Sequence, residues 1–208
     1  MFTNQIKRIF AIKTVLVNSL LKDISIEIFS GQAFAGRIEN NPEGDCHVVQ
    51  LRDLNDSYTN IERMPHLVNS GTIPYKQFLK KGDLLFITKG SNNFALIFDK
   101  DYKAVASTIF FVIRPEPTIV NSKYLEWYIN QSPAQEYLHA GKEGSSVTNI
   151  NKNTLEHLPI NIPPMELQRK IAGLYELLQK EIYLTEAILE KRQLFIEKLL
   201  LTQLKQTQ

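Results

Sequence analysis

The chain has 208 residues, 43% of them hydrophobic, room for one domain of about 150 residues plus a helical arm. Its 24 Lys and Arg against 22 Asp and Glu leave a net charge of +2, so composition guarantees no basic surface and any nucleic-acid contact needs local clustering. The single cysteine, Cys46, excludes an intrachain disulfide framework and fits a reducing cytoplasm, and no run of eighteen apolar residues predicts a membrane span.

In chain order, the first element expected is an amphipathic helix carrying Ile6, Phe10, Val17 and Leu20-Leu21. Lys13 interrupts its apolar run and no small-residue cleavage site follows, which argues against a signal peptide. Residues 24–29 alternate as a strand that ends at Ser30-Gly31, and 47–51 form another. Gly82-Asp83 predicts a turn into a β-rich run at 84–88. Strands at 95–98 and 107–113 follow, the last closed by Arg114-Pro115. Ser122 is placed to cap a helix bearing Tyr124, Leu125, Tyr128 and Ile129. Ser132-Pro133-Ala134-Gln135 has the form of a capping box with proline at the first helical position. A flexible loop is expected at 141–146, and Asn161 closes the domain. The fold class is therefore α+β over 1–160, a globular domain of mixed strands and helices. One long C-terminal helix occupies 161–208.

That helix opens at Pro163-Pro164, where proline is tolerated because its missing N–H would be unpaired anyway. About forty proline-free residues at ~1.5 Å each make a rod of roughly 60 Å. Leu167, Ile171, Leu174, Leu178, Ile182, Leu189, Ile196 and Leu199 step by three, four or seven, with Thr185 and Arg192 as polar interruptions. Leu177, Leu184, Ile188 and Phe195 form a second stripe beside the first. The pairs Glu166–Lys170 and Glu176–Lys180 suit a solvated opposite face. Packing on the chain's own domain is one explanation. A coiled coil with another helix is the better one, because a small domain cannot cover so long a rod.

Catalytic constellations are scarce. Asn161-Ile162-Pro163-Pro164 is similar to the Asn-Pro-Pro-aromatic motif of amino-methyltransferases, but Ile162 and the missing aromatic break it, and no glycine-rich cofactor loop follows a strand. Cys46 and His47 lack a second pair at zinc-site spacing, and His47, His66, His139 and His157 form no ligand group. Asp99-Lys100-Asp101 is too common a pattern to mark a nuclease. No metal and no cofactor are expected of the chain itself. Basic residues gather in two places, Lys7, Arg8, Lys13 and Lys22 before the first acid, and Lys76, Lys80 and Lys81.

Three loops concentrate groups that hold phosphates or read base edges. The first is 31–37, with Gln32 and Arg37 between glycines that permit close backbone approach. The second is 88–94, with Lys89, Ser91, Asn92 and Asn93 after a strand. The third is 142–149, with Lys142, Ser145, Ser146 and Asn149. Each also reads as an ordinary polar connection.

IPPMELQRKIAGLYELL (162–178) resembles the conserved-region signature of type I restriction-modification specificity subunits, the S or HsdS family. The match lies at Ile162, Pro163, Pro164, Gln168, Arg169 and Ile171, and EKRQLFIEKLL (190–200) resembles the second half of that family's helix. FSGQAF (29–34), HVVQLRDL (47–54), LKKGDLLFITKGS (79–91) and SSVTNINKNTLEHLPI (145–160) fall in the order of a target recognition domain. A complete member has two recognition domains and two such helices. This sequence shows one of each and no internal repeat, so it resembles a half-subunit. The resemblance implies a non-catalytic, cytoplasmic, DNA-binding chain. Its helix would pair with a second copy, or with another specificity half, and dock methyltransferase subunits. Those partners would bring S-adenosylmethionine and, with a restriction subunit, ATP. Two other classes compete: a protein–protein adaptor that uses the rod without binding DNA, and a stand-alone nuclease, which the missing carboxylate cluster disfavours.

Overall fold

The computed structural model describes residues 17–90, 93–141 and 149–206, with side chains to 203. Its contacts divide the chain into two compact units, Met1–Arg169 and Lys170–Gln208.

The first unit is built on three small sheets. Strands β1 (Val17–Leu20), β2 (Ser25–Ser30), β3 (Cys46–Val49), β4 (His66–Val68), β5 (Leu84–Ile87), β6 (Ala95–Ile97), β7 (Ala104–Ala106), β8 (Phe110–Pro115) and β9 (Pro159–Ile162) alternate with short 3-10 turns. A four-stranded antiparallel sheet runs β2-β8-β5-β6, and a three-stranded sheet runs β4-β3-β7 with β3 and β7 parallel. β1 pairs with β9 alone. Three helices, α1 (Ser122–Ile129), α2 (Ser132–Ala140) and α3 (Lys152–Glu156), complete the unit.

The core lies between the two larger sheets. Phe29, Val49, Leu85, Ile87, Leu96, Phe98, Phe110 and Val112 form one buried cluster. All four residues of β5 are buried, because its second face, carrying Leu84 and Phe86, is covered as well. A strand buried on both faces reads as a continuous apolar run, which is how 84–88 looks in the sequence. Burying a side chain such as Phe86 contributes about 1.5–3 kcal/mol.

The open edges are closed by side chains. Asn130 at the end of α1 accepts the Ala95 N–H at 2.9 Å and donates to the Ala95 carbonyl at 2.8 Å. Glu126 accepts the Ile97 N–H at 3.0 Å. On the other sheet, Asn40 accepts the Leu67 N–H at 2.9 Å. An edge so paired offers no template to another strand. At the far end of the main sheet, Arg114 holds Asp83 with two hydrogen bonds of 2.9 and 2.8 Å and donates a third to the Phe78 carbonyl at 3.1 Å. Asp83 also accepts the Lys80 N–H at 2.8 Å, so this nearly buried pair has its polar atoms engaged.

Several local expectations change. Residues 17–20 form a strand rather than the end of a helix, because their backbone pairs with Pro159–Ile162; residues 1–16 lie outside the described part. Asn121, not Ser122, caps α1, accepting the Tyr124 N–H at 3.1 Å. Ser132–Ala140 has Gln131 as its N-cap, and Gln135 donates outward to Ile129 and Asn93 carbonyls at 2.8 and 3.1 Å instead of closing a capping box. The expected strand 107–113 begins only at Phe110, and 107–109 is a turn. The expected strand 47–51 ends at Val49, where a 3-10 turn, Leu51–Asp53, begins.

The second unit is the continuation of α4 (Met165–Gln206), 42 residues without a break. No helix among the described residues is long and apolar enough to cross a membrane.

Candidate nucleic-acid interface

Antiparallel pairing places Ile87 opposite Phe110 and Ser30 opposite Phe111, so β2 and β5 end where β8 begins. The parallel pair β3–β7 ends there too, with Val49 opposite Ala106. The loops that leave these strands must therefore emerge from one end of the domain.

The turn 107–109, between β7 and β8, ties them together. On one side, Gln32 donates its N–H to the Ala106 carbonyl at 2.7 Å and Gly31 to the Phe110 carbonyl at 3.0 Å. Gly31 has no room for a side chain: a Cβ there would stand 2.6 Å from the Ala106 carbonyl oxygen and closer still to that of Ser107. On the other side, the Thr88 N–H and its hydroxyl both donate to the Ile109 carbonyl at 2.9 Å. Beneath, Ser107 donates to the Val49 carbonyl at 2.9 Å. Thr88 in turn accepts the Ile150 N–H at 2.9 Å, which brings in the end of the third loop. Loops 31–37 and 88–94 and the chain at 149–150 thus converge on one short turn.

Arg37 and Lys89 are exposed and make no ion pair among the described residues. Gln32 is half-buried, with its amide donating to the neighbouring Ala33 carbonyl at 2.8 Å. Asn149 is half-buried beside Ile150. Ser91, Asn92, Lys142, Ser145 and Ser146 lie outside the described residues. Asn93 is placed differently from the exposed residues of its loop. It is fully buried, and its amide donates to the Ile87 carbonyl at 2.8 Å, holding the loop to the strand it leaves.

The other polar clusters are elsewhere or occupied. Lys80 and Lys81 sit at the opposite end of the main sheet, where Lys81 pairs with Asp101. Lys22 meets His157 Nε2 at 3.0 Å. Burial pushes the Cys46 thiol up to about 11, which keeps it protonated and unreactive at neutral pH. His47 donates from Nδ1 to the Pro65 carbonyl at 2.9 Å and packs on Tyr102, half-buried rather than at the surface. Among the described residues, no group of three or more His, Cys, Asp or Glu could hold a metal ion.

Two features of this end have no strong sequence signal. One is the turn itself, with Thr108 exposed at its tip. The other is loop 54–61, closed by the Leu54–Ile61 bridge. In it Asn55 accepts the Thr59 and Asn60 N–H groups at 2.8 and 3.1 Å, and Tyr58 takes a left-handed φ of 57°. Tyr58 packs 6.5 Å from Phe94, beside the second loop.

On α4, Leu167 is buried and Ile171 half-buried. Leu174, Leu178, Ile182, Leu189, Ile196 and Leu199 are all between 43% and 58% exposed, and Leu177, Leu184, Ile188 and Phe195 are exposed beside them.

The model of the type I restriction modification DNA specificity domain matches residues 17–192. The chain belongs to this family. Its fold is shared with solved specificity subunits. It is similar to the HsdS subunit of Thermoanaerobacter tengcongensis, with a TM-score of 0.62 and 19% identity over 80% of this chain and 43% of that one. It is similar to a chain in a structure of type I R-M system assembly and conformational transition, with a TM-score of 0.64 and 18% identity over 83% and 44%. The S subunit of M. genitalium aligns with a TM-score of 0.55 and 14% identity over 81% and 40%. The chain thus spans less than half the length of each solved relative. No curated protein matches it. The specificity domain's family model covers the four sequence stretches that carried the resemblance and most of α4.

Proposed function

We propose that this chain is the sequence-reading subunit of a type I-like restriction-modification system. Residues 1–160 bind one half of a split DNA site. Residues 161–208 are a spacer that pairs with the helix of a second copy and docks methyltransferase subunits. The chain itself performs no chemistry. The methyltransferase brings S-adenosylmethionine, a restriction subunit where present brings ATP, and the whole works in the cytoplasm.

One observation carries the reading. Arg37 and Lys89, exposed and without an ion pair among the described residues, belong to loops locked to the same turn, at the end of the domain where β2, β3, β5 and β7 stop and β8 starts. Cations at such a rim hold phosphates, and the polar groups between them are then set against base edges. The exposed apolar stripe of α4 supports the second half of the proposal, because a stripe of that length demands a partner helix. A relative by fold comes from a study of type I R-M complex assembly, which agrees with a role in a multisubunit enzyme.

The test is to purify the chain with the methyltransferase that accompanies it in its native cell and to measure duplex binding against salt. Sequence-preferring binding that weakens as salt rises is expected. A complex that assembles on the helix yet ignores DNA would leave the adaptor in its place.

A further inference from the structure

We infer that Thr108, at the tip of the β7–β8 turn, is a base-contacting, specificity-determining residue. The inference rests on the DNA-reading function proposed above and adds a residue on an element that the sequence does not single out.

On both sides of Thr108 the backbone is pinned by hydrogen bonds. Ser107 donates to Val49 at 2.9 Å, Phe110 donates to Ser107 at 3.1 Å, and the Ile109 carbonyl accepts twice from Thr88 at 2.9 Å. The Gly31 backbone packs so close that no side chain fits between the loop and the turn. Thr108 alone is exposed in the turn, and its hydroxyl has no hydrogen-bond partner among the described residues. It stands between the loop that carries Arg37 and the loop that carries Lys89. Long cations on the flanks suit phosphates, which lie at the rim of a groove. A short side chain on a fixed turn between them suits what lies inside the groove. Threonine offers a hydroxyl that donates or accepts at a base edge and a methyl that packs on thymine. Its side chain has one rotatable bond to freeze, and the turn is already ordered, so binding costs little conformational entropy.

The experiment uses the full chain purified with its methyltransferase partner and a randomised double-stranded DNA library. The unmodified complex should enrich one motif. Thr108→Ala should relax the preference at one base pair by roughly tenfold while leaving every other position unchanged. Retention by Thr108→Ser identifies the hydroxyl as the contact, and retention by Thr108→Val identifies the methyl. Thr108 is exposed and its hydroxyl is unpartnered among the described residues, so all three variants should melt with the parent. An Ala variant that enriches the unchanged motif, or that loses affinity evenly on every sequence, overturns the inference. If Lys89→Ala weakens binding in the same assay, the DNA-reading function survives that result. If the unmodified complex enriches nothing, both fail together.

Discussion

Gln168, in the first turns of α4, accepts the Asn121 N–H on its Oε1 at 2.8 Å. Its Nε2 donates to the Pro163 carbonyl at 2.8 Å and to the Ile119 carbonyl at 3.1 Å, and the residue is 1% exposed. Asn121 is also the cap of α1, so one buried amide joins the starts of two helices to the loop at 119–121. This gives a physical reason for glutamine four residues after Pro164. A neutral side-chain amide accepts on its oxygen and donates twice from its nitrogen, which is what this buried site requires. Gln168→Ala should cost about 3 kcal/mol, since an N–H and two carbonyls lose a partner where water has little access. Gln168→Glu should cost a comparable amount, because it keeps the acceptor but loses the donor and buries a charge. Urea unfolding followed by circular dichroism measures both.

Lys89→Ala and Arg37→Ala should each weaken duplex binding by the assembled complex. A phosphate contact shows as an equal loss on every sequence and a salt slope shallower by about 0.9. A base contact shows as relaxed preference at one position. Unchanged binding in both variants would remove these loops from the interface. Neither side chain has a structural partner among the described residues, so thermal stability should stay within about 0.5 kcal/mol.

The stripe on α4 should drive self-association. We expect an antiparallel dimer at tens of micromolar, read by light scattering. Leu178→Asp with Ile182→Asp should return the monomer, because charges buried in an apolar seam cost several kcal/mol. Both residues are already exposed in the single chain, so the globular unit should melt unchanged.

A symmetric dimer presents two identical reading surfaces about a two-fold axis. The methylated target should therefore be a split palindrome whose central bases are free in identity but fixed in number. Deleting one heptad from α4 should alter the tolerated gap or abolish binding. Methylation mapping in cells that express the chain with its methyltransferase checks this. An asymmetric split site would mean pairing with a different specificity half, and a short continuous site would defeat the spacer idea.

Asp45 supplies a pH prediction. Lys103 donates to it at 2.6 Å, as does the Ser70 hydroxyl, and these partners hold the carboxyl well below its ordinary value. A carboxyl lowered in the folded state stabilises the fold above the unfolded value and loses that contribution as pH falls toward the folded one. The chain should therefore lose stability below about pH 4. Asp45→Asn should be less stable at neutral pH and flatter across the acid limb. Denaturation midpoints from pH 2 to 7 would show it, and parallel curves would refute it.

Much of this architecture is written locally. The apolar run at 84–88 and the turn at Gly82-Asp83 need only burial and backbone geometry to be read, and Gly82 does take a positive φ of 91°. The start of α4 at Pro163-Pro164 is equally local. What escapes is decided by contacts distant in sequence. Val17 and Leu20 have a spacing that suits a helix, and only the partner segment Pro159–Ile162 makes them a strand. Asn93 looks like any loop asparagine until the Ile87 carbonyl claims its amide. Ser107 and Thr108 continue the β-rich pattern of 110–113, and the turn exists because Gly31 and Thr88 pin its two sides.

The way the β7–β8 turn is held has an evolutionary consequence. Its position depends on main-chain groups, one glycine and the Thr88 hydroxyl, and on none of the exposed side chains at 37, 89 and 108. Mutations at those tips leave the frame standing, whereas a side chain at Gly31 would dislodge it. A lineage carrying this domain is thus free to try new surface chemistry one residue at a time without first risking the fold, and recombination that exchanges whole loops would need to preserve the glycine, the threonine and the buried Asn93 amide.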